Sequence, residues 1–586
     1  MSGSPTDRAV RAVTVEEPAT SESAKPGIDR RSFLGGVGGA AAAALAGGAT
    51  VLTGELAVPP AAGAAEITPQ HPLQRKASSF HYRVDLARRE LIRPAVHHVT
   101  NGDEELYPSK IGNFSKTLPH DALGEVDPGA YAALQNALAS GDFDDFEAIP
   151  AGGTGNLSNP LGGLAFDPAG PDALAVGVAP PPALASPEWA AQMAEVYWMA
   201  LLRDVALSEF DSDPVAVAAR QGLAAYSGYT GPRDPITGEV RAEDLFRLEY
   251  PGVQTGTLVS QFILRAFSYD SIPIDPRIST PAARTDFVTF FPEWLNIQRG
   301  INPGGGPVPA DPVLRYPRTV RDLGQLAQSD RIHSQYFRAL IILSTLGNAF
   351  VDDANPYKTS TRQSGFATFG LAQATELEGM VHKSERHTWY QKWFVHRFLR
   401  PEAGGGRVHN ARTGAAAYPI HSDLLDDDDL LDRVFEYNRQ RNVERPEINQ
   451  NVGSYLLPTM GRNGGPSHPA FPAGHAISAG ACVTFLKAWF KEDQPFPDPV
   501  EPTPDGLSLV PYTGPTLTIG GELNKLCHNL SLGRDMSGVH WRADTDEGNR
   551  QGEEVAIRIL REVKRGVPEP FTGFTLTRFD GTTITV

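Results

Sequence analysis

Cysteine is scarce: the 586 residues hold two, Cys482 and Cys527. Two thiols cannot build a disulfide framework, and both fall in apolar runs of helical character, so buried free thiols are expected. Long apolar runs are also lacking. Beyond Gly54 no uninterrupted stretch is long enough to span a bilayer. Positive charge is in deficit, with 52 Lys and Arg against 69 Asp and Glu and a formal net charge of −17. That argues against a nucleic-acid-binding surface, so any anion site must be a local basic pocket inside an acidic shell. Strand-type alternation is not sustained before the short run Phe574 to Val586, and no internal repeat is visible. What remains is an all-α, mainly helical fold.

The chain opens on an address. Arg30-Arg31-Ser32-Phe33-Leu34 is a twin-arginine pattern, and a Gly/Ala-rich run, Gly35 to Gly54, follows it. Ala62-Gly63-Ala64 supplies small residues for cleavage. Residues 1–64 therefore read as a signal peptide without a permanent membrane anchor, and the mature chain as exported, to the periplasm or beyond. Its length of about 520 residues exceeds a typical single domain. A helical and loop-rich region over 65–330 and a second region over 331–586 are expected.

Residues 66 to about 185 are rich in Pro, Gly and Asp and read as loops and short helices. Ser186-Pro187-Glu188 starts a clear helix, with Ser as the cap and Pro in the first turn. Trp189, Met193, Val196, Tyr197 and Ala200 follow at helical spacing and form a core stripe. Ile332 to Leu346 and Leu371 to Leu399 are helical by period. The acidic run Asp426 to Asp429 lacks the ligand spacing of a calcium loop and reads as a solvated helix face. Phe350 to Pro356 reads as a turn.

The chemistry gathers around Ser467-His468-Pro469-Ala470-Phe471-Pro472-Ala473-Gly474-His475 and the apolar run Ala476 to Phe490 behind it. Pro472 and Gly474 punctuate the backbone, which puts Gly474 and His475 at the N-terminus of a buried helix. Free N–H groups and the helix dipole make such an end a site for a tetrahedral oxyanion. Lys392 and Arg400 are eight apart. On one helix they would lie about 80° out of register and on the order of 12 Å apart, within convergence of two long side chains. Pro401 would end that helix, and Arg397 would lie on its exposed face. Arg534 and His540 are six apart and face away from each other on a straight helix, so Ser537-Gly538 must break it. Asp544, four beyond His540, can hold one imidazole nitrogen.

Lys…Arg-Pro, then Gly-His, then Arg…His…Asp resembles the vanadium-dependent haloperoxidases and their relatives, the type 2 phosphatidic acid phosphatases and bacterial acid phosphatases. The seven residues between Lys392 and Arg400, His468 seven before His475, and Glu522-Leu523-Asn524-Lys525-Leu526 are similar to the algal bromoperoxidase branch. Trp389 resembles the brown-algal members. The resemblance implies a helical-bundle fold and a vanadate cofactor whose metal is bonded to His540. Lys392, Arg400, Arg534 and Gly474 would hold its oxygens, and Asp544 would support His540. His475, His468, Lys392 and His540 would be the catalytic set, with His475 as acid–base. Hydrogen peroxide, bromide or iodide, and a small organic acceptor would be the reactants, and the algal members form oligomers.

One departure stands out. The family usually has Ser where this chain has Ala473, so one neutral hydrogen bond to the oxyanion is lost, worth roughly 0.5–1.5 kcal/mol. Two other readings share the cradle: an acid phosphatase with His540 as nucleophile, and an oxyanion-binding protein that has lost catalysis.

Overall fold

The computed structural model describes residues 72–329 and 331–586; the expected leader over 1–64 lies outside them. The unit His71–Val586 is built on helices. In chain order those that matter here are α1 (Pro72–Leu91), α2 (Pro128–Ser140), α3 (Pro187–Leu201), α4 (Val320–Ser329), α5 (Ser334–Thr345), α6 (Leu371–His382), α7 (Glu385–Tyr390), α8 (Pro401–Arg412), α9 (Asp428–Glu444), α10 (Gly474–Trp489), α11 (Ile519–Met536) and α12 (Arg542–Gly566). Among the described residues the strands are three residues long and pair only as antiparallel hairpins: Phe267–Tyr269 with Ile272–Ile274, Val500–Pro502 with Leu509–Pro511, and Thr575–Thr577 with Thr583–Thr585. Only the last was expected. Three residues are too few to show an alternating pattern. No helix of the described residues is long and apolar enough to cross a membrane.

Helix α10 is the axis. Every one of its residues except His475 is buried, Ser478, Thr484 and Lys487 included, and the rest are small or apolar. Helix α12 lies against it with almost no side chain between. A Cβ on Gly480 would stand 2.1 Å from the Asn549 carbonyl oxygen, and one on Gly552 would stand 2.1 Å from that of Ile477. Gly548 faces Ala473 and Ala476 in the same way. The small residues recur every four positions on both helices, so the two backbones touch along one ridge. Helix α11 closes the other side and carries Cys527; α10 carries Cys482, and both thiols are free and buried.

The N-terminal half is wrapped into this core. Side chains from either side of residue 330, such as Trp198 and Phe262 with Phe485 and Leu530, belong to one hydrophobic cluster. Each fully buried side chain of this kind contributes roughly 1.5–3 kcal/mol. Helix α3 begins as its sequence indicates, with Ser186 accepting from the Trp189 N–H and Pro187 in the first turn. Arg203, just beyond α3, donates to the Met536 carbonyl (3.1 Å) and to Asp286 (2.7 Å), placing a cation at the C-terminus of α11. Glu195 of α3 holds Arg542 at the start of α12 (2.8 Å). A second cluster seats Phe114, Leu118, Tyr131 and Leu134 around Trp393. The loop-and-short-helix expectation for 66–185 misses α1, a 20-residue helix with no buried residue.

Leu371 to Leu399 is not one helix. It divides into α6, α7 and a π-helical turn over Gln391–His396 that stops at Arg397 in the left-handed region (φ 41°). Pro401 begins α8 at its first position, where a missing N–H costs nothing, and does not end a preceding helix. Arg397 is not on an exposed face either: its guanidinium pairs with Glu104 (3.0 Å). The acidic run serves as a helix start, with Asp427 accepting from the Leu430 N–H ahead of α9. Phe350 to Pro356 is a turn, in which Asp352 accepts from the Ala354 N–H.

Candidate oxyanion site

Four short stretches bring the charged residues together. The strap after the π-helical turn runs beside the loop before α10, and Ala470 N–H donates to the Phe398 carbonyl (3.0 Å). Lys392, on that turn, reaches across and donates to the carbonyls of Pro469 (3.0 Å) and Ala470 (2.5 Å). π-Helical turns are common at functional positions. Burial first, and then the Arg400 charge, hold the Lys392 ammonium well below its usual range, while Asp544 and Glu385 oppose them.

Arg400 is the hub. As the residue capping α8 it is 1% exposed, and no side-chain cap takes up its guanidinium. Its Nε donates to the His468 carbonyl (2.9 Å) and its Nη1 to the Val539 carbonyl (2.7 Å). The same Nη1 lies 3.0 Å from His540 Nε2, and Nη2 lies 2.8 Å from His468 Nδ1. A guanidinium can only donate, so His540 Nε2 presents a lone pair, whereas His468 Nδ1 lies between that donor and the Pro469 carbonyl (3.0 Å), an acceptor. The proton of His540 therefore sits on Nδ1, 2.7 Å from Asp544 Oδ2. Burial and the charges of Arg400, Lys392 and Arg534 keep His540 well below the usual histidine range, and the ring stays neutral.

Asp544 stands at the third position of α12. The same Oδ2 accepts the Trp541 N–H (3.1 Å), so one carboxylate caps the helix and orients the imidazole. His540 and Asp544 do not share a helix face as their spacing suggests; His540 precedes the helix and the cap brings the two together. Burial pushes the Asp544 carboxyl up to about 7, against Lys392, the Trp541 N–H and Arg400. The expected break between Arg534 and His540 is present: α11 ends at Met536, Gly538 takes φ 83°, and α12 starts at Arg542. Arg534 is in the last turn of α11, with its Nη1 3.4 Å from the Ala327 carbonyl of α4.

Gly474 and His475 open α10. Ala473 caps it without a side-chain hydrogen bond, and its own N–H donates to the Asp544 carbonyl (2.9 Å), tying this helix start to that of α12. Against Gly474 stand Trp389 and Glu385: a Cβ there would lie 3.4 Å from the Trp389 ring and 3.0 Å from Glu385 Oε1. Trp389 also packs on His468, with ring centroids 4.8 Å apart. Burial and the Arg400 and Lys392 charges hold His468 well below 6.5, so this ring is kept neutral by its neighbours. The loop before it is fixed by Lys116, which donates to the Asn463 carbonyl (2.6 Å) and pairs with Glu402 (3.2 Å). Lys116, Glu195 and Arg203 were not foreseen as supports. Glu385 could have been, since it lies seven residues before Lys392 and so near its helical face.

Two buried cations, Lys392 and Arg400, a half-buried third, Arg534, a helix start with glycine at its first position, and a neutral imidazole with its lone pair turned towards a cation form a donor set for a tetrahedral oxyanion bonded to nitrogen. The comparisons agree with that chemistry. Residues 444–568 match the family described as the VCPO second helical-bundle domain, a span that includes Gly474, Arg534, His540 and Asp544 but not Lys392 or Arg400. The chain is 37% identical over 545 residues to a vanadium-dependent bromoperoxidase of Ascophyllum nodosum, covering 88% of this chain and 95% of that protein. It is 34% identical over 606 residues to one of Corallina officinalis, covering 88% and 100%. Among solved structures, the homohexameric second vanadate-dependent bromoperoxidase of Ascophyllum nodosum superposes with a TM-score of 0.82 at 32% identity, over 92% of this chain and 94% of that one.

Proposed function

Because the chain belongs to the vanadium-dependent bromoperoxidase family, we propose that the cradle around Arg400 binds vanadate and uses hydrogen peroxide to oxidise bromide or iodide to a species that halogenates organic molecules. The observation that carries this reading is the Arg400 guanidinium bridging His468 Nδ1 and His540 Nε2. It keeps a nitrogen lone pair directed into the cationic recess, which is what a metal oxyanion needs.

Bound vanadate supplies a Lewis-acid centre at which peroxide becomes electrophilic towards halide. The chain's residues do the rest. His540 offers Nε2 as the ligand while Asp544 holds its Nδ1 proton. Lys392, Arg400 and Arg534 balance the oxyanion charge in a site where burial strengthens each interaction, and the Gly474 N–H adds a backbone donor. His475, the one residue of α10 that is not buried, would serve as the acid–base, holding the proton that peroxide gives up and returning it. Lys392 would polarise an oxygen of the bound group. His468, in contact with Trp389, shapes the approach of the halide, and bromide and iodide are assigned over chloride.

Removing vanadate is expected to abolish peroxide-dependent bromination, adding it back to restore the activity, and phosphate to compete for the same cradle. Bromination that survives exhaustive vanadate removal contradicts the assignment; a phosphatase assay run alongside tests the alternative chemistry. Ala473→Ser adds one neutral hydrogen bond. It should tighten vanadate by no more than about tenfold, measured by titration of the stripped enzyme.

The exported location is part of the same reading, on the strength of Arg30-Arg31 and Ala62-Gly63-Ala64. Protein recovered from outside the cytoplasm should begin near Ala65, and N-terminal sequencing that finds Met1 refutes it. Assembly into a homo-oligomer is proposed because the superposed bromoperoxidase is a homohexamer; a single-chain mass by sedimentation would exclude it.

A further inference from the structure

We infer that Glu385 is a charge-selecting residue of the cradle, a carboxylate that biases it towards singly charged tetrahedral anions and against doubly charged ones. The inference rests on the cradle assignment above and extends it to a residue outside the expected set.

Glu385 is the first residue of α7, the helix that leads into the turn holding Lys392. Its Oε1 lies 3.0 Å, and its Cδ 3.8 Å, from where a Cβ on residue 474 would stand. The carboxyl sits against the first residue of α10 because that residue is glycine. Trp389 borders the same point at 3.4 Å and packs on His468, so the carboxyl enters the recess that the cations line. Its field favours the charged form of Lys392. The other charged groups that act on Lys392 beside Glu385 are Arg400, Arg534 and Asp544. On the stretch of Glu385 itself Lys383 and Arg386 are both paired with Asp167.

A negative charge at this place repels whatever oxyanion the three cations attract. The repulsion scales with the anion's charge, so a dianion suffers it twice over. Vanadate in neutral water is carried mainly as a monoanion, whereas sulfate, with the same tetrahedral shape, is a dianion. Neutralising Glu385 therefore strengthens sulfate binding by twice the free energy by which it strengthens vanadate binding, which squares the fold-change.

The test is calorimetric titration of the vanadate-stripped full-length protein with vanadate and, separately, with sulfate at neutral pH, for wild type, Glu385→Gln and Glu385→Ala. Glu385→Gln is expected to tighten vanadate by about tenfold and sulfate by about a hundredfold, so the vanadate-to-sulfate preference falls by about tenfold. Glu385→Ala should move the preference in the same direction without offering a new amide contact. A preference that changes by less than about threefold in both variants, or binding of both anions that weakens, overturns the inference and leaves the cradle assignment standing. Wild type that binds neither anion overturns both.

Discussion

Replacing His540 with Ala is expected to lower peroxide-dependent bromination by on the order of 10³-fold or more and to remove stoichiometric vanadate binding. No other side chain in the recess can take over. His468 has its Nδ1 occupied by Arg400, and Lys392 spends its ammonium on the Pro469 and Ala470 carbonyls. Asp544→Asn should be milder, about 10–100-fold in vanadate affinity, because it disturbs the tautomer and orientation of His540 without removing the ligand. The loss in Asp544→Asn should also include some stability, since the same carboxylate caps α12 through the Trp541 N–H. Turnover of the His540 variant at the wild-type rate would dismiss this assignment of the ligand.

Gly552→Val is expected to destabilise the fold by about 3 kcal/mol or more, a large share of the roughly 5–15 kcal/mol that holds a domain together. The first added carbon would stand 2.1 Å from the Ile477 carbonyl oxygen and 2.7 Å from the Ala481 nitrogen. Both are backbone atoms of α10, so no rotamer change relieves the clash; the helices must part. Since α10 begins with Gly474 and His475 while α12 begins just after His540, parting them also separates the two sides of the cradle. A control isolates the packing effect. Among the described residues no atom lies within 4 Å of where a Cβ on Gly379 of α6 would stand, and Gly379→Ala should stabilise by about 0.5–1 kcal/mol through helix propensity alone. Thermal melting of the two variants should therefore shift in opposite directions, and a Gly552→Val protein that melts with wild type would contradict the close-contact argument.

Much of the site could be read from the chain because local chemistry dictates it. Gly538 had to break the helix between Arg534 and His540, and it does so with a positive φ. The apolar run after His475 could only be a buried helix. Lys392 and Arg400 do converge, both donating to the Pro469 carbonyl, but not from one helix. Proline reads equally as the residue after a helix or the first residue of one, and only the tertiary pairing of Phe398 with Ala470 decides that the chain turns there. The supports were hidden for a different reason. Glu195, Arg203 and Lys116 look like ordinary surface charges in sequence, and their partners Arg542, Asp286 and Glu402 are 83 to 347 positions away. No periodicity encodes a pair at that distance. Ala473 stands where the resemblance leads to an expected Ser, and the helix start it caps is held through its N–H to Asp544.

The burial of sulfur has a chemical consequence for an enzyme of this family. A catalyst that releases an oxidising halogen species works in the presence of its own most damaging reagent, and thiols and thioethers are the side chains such a reagent attacks first. Cys482 and Cys527 are both sealed in the core and held as neutral thiols by burial, which withholds the reactive thiolate. Met193, Met199, Met460 and Met536 are no more than 1% exposed. Among the described residues only Met380 is partly open to solvent. The packing that positions the cradle thus also keeps oxidisable sulfur out of reach of the product, and the scarcity of cysteine becomes a form of chemical endurance.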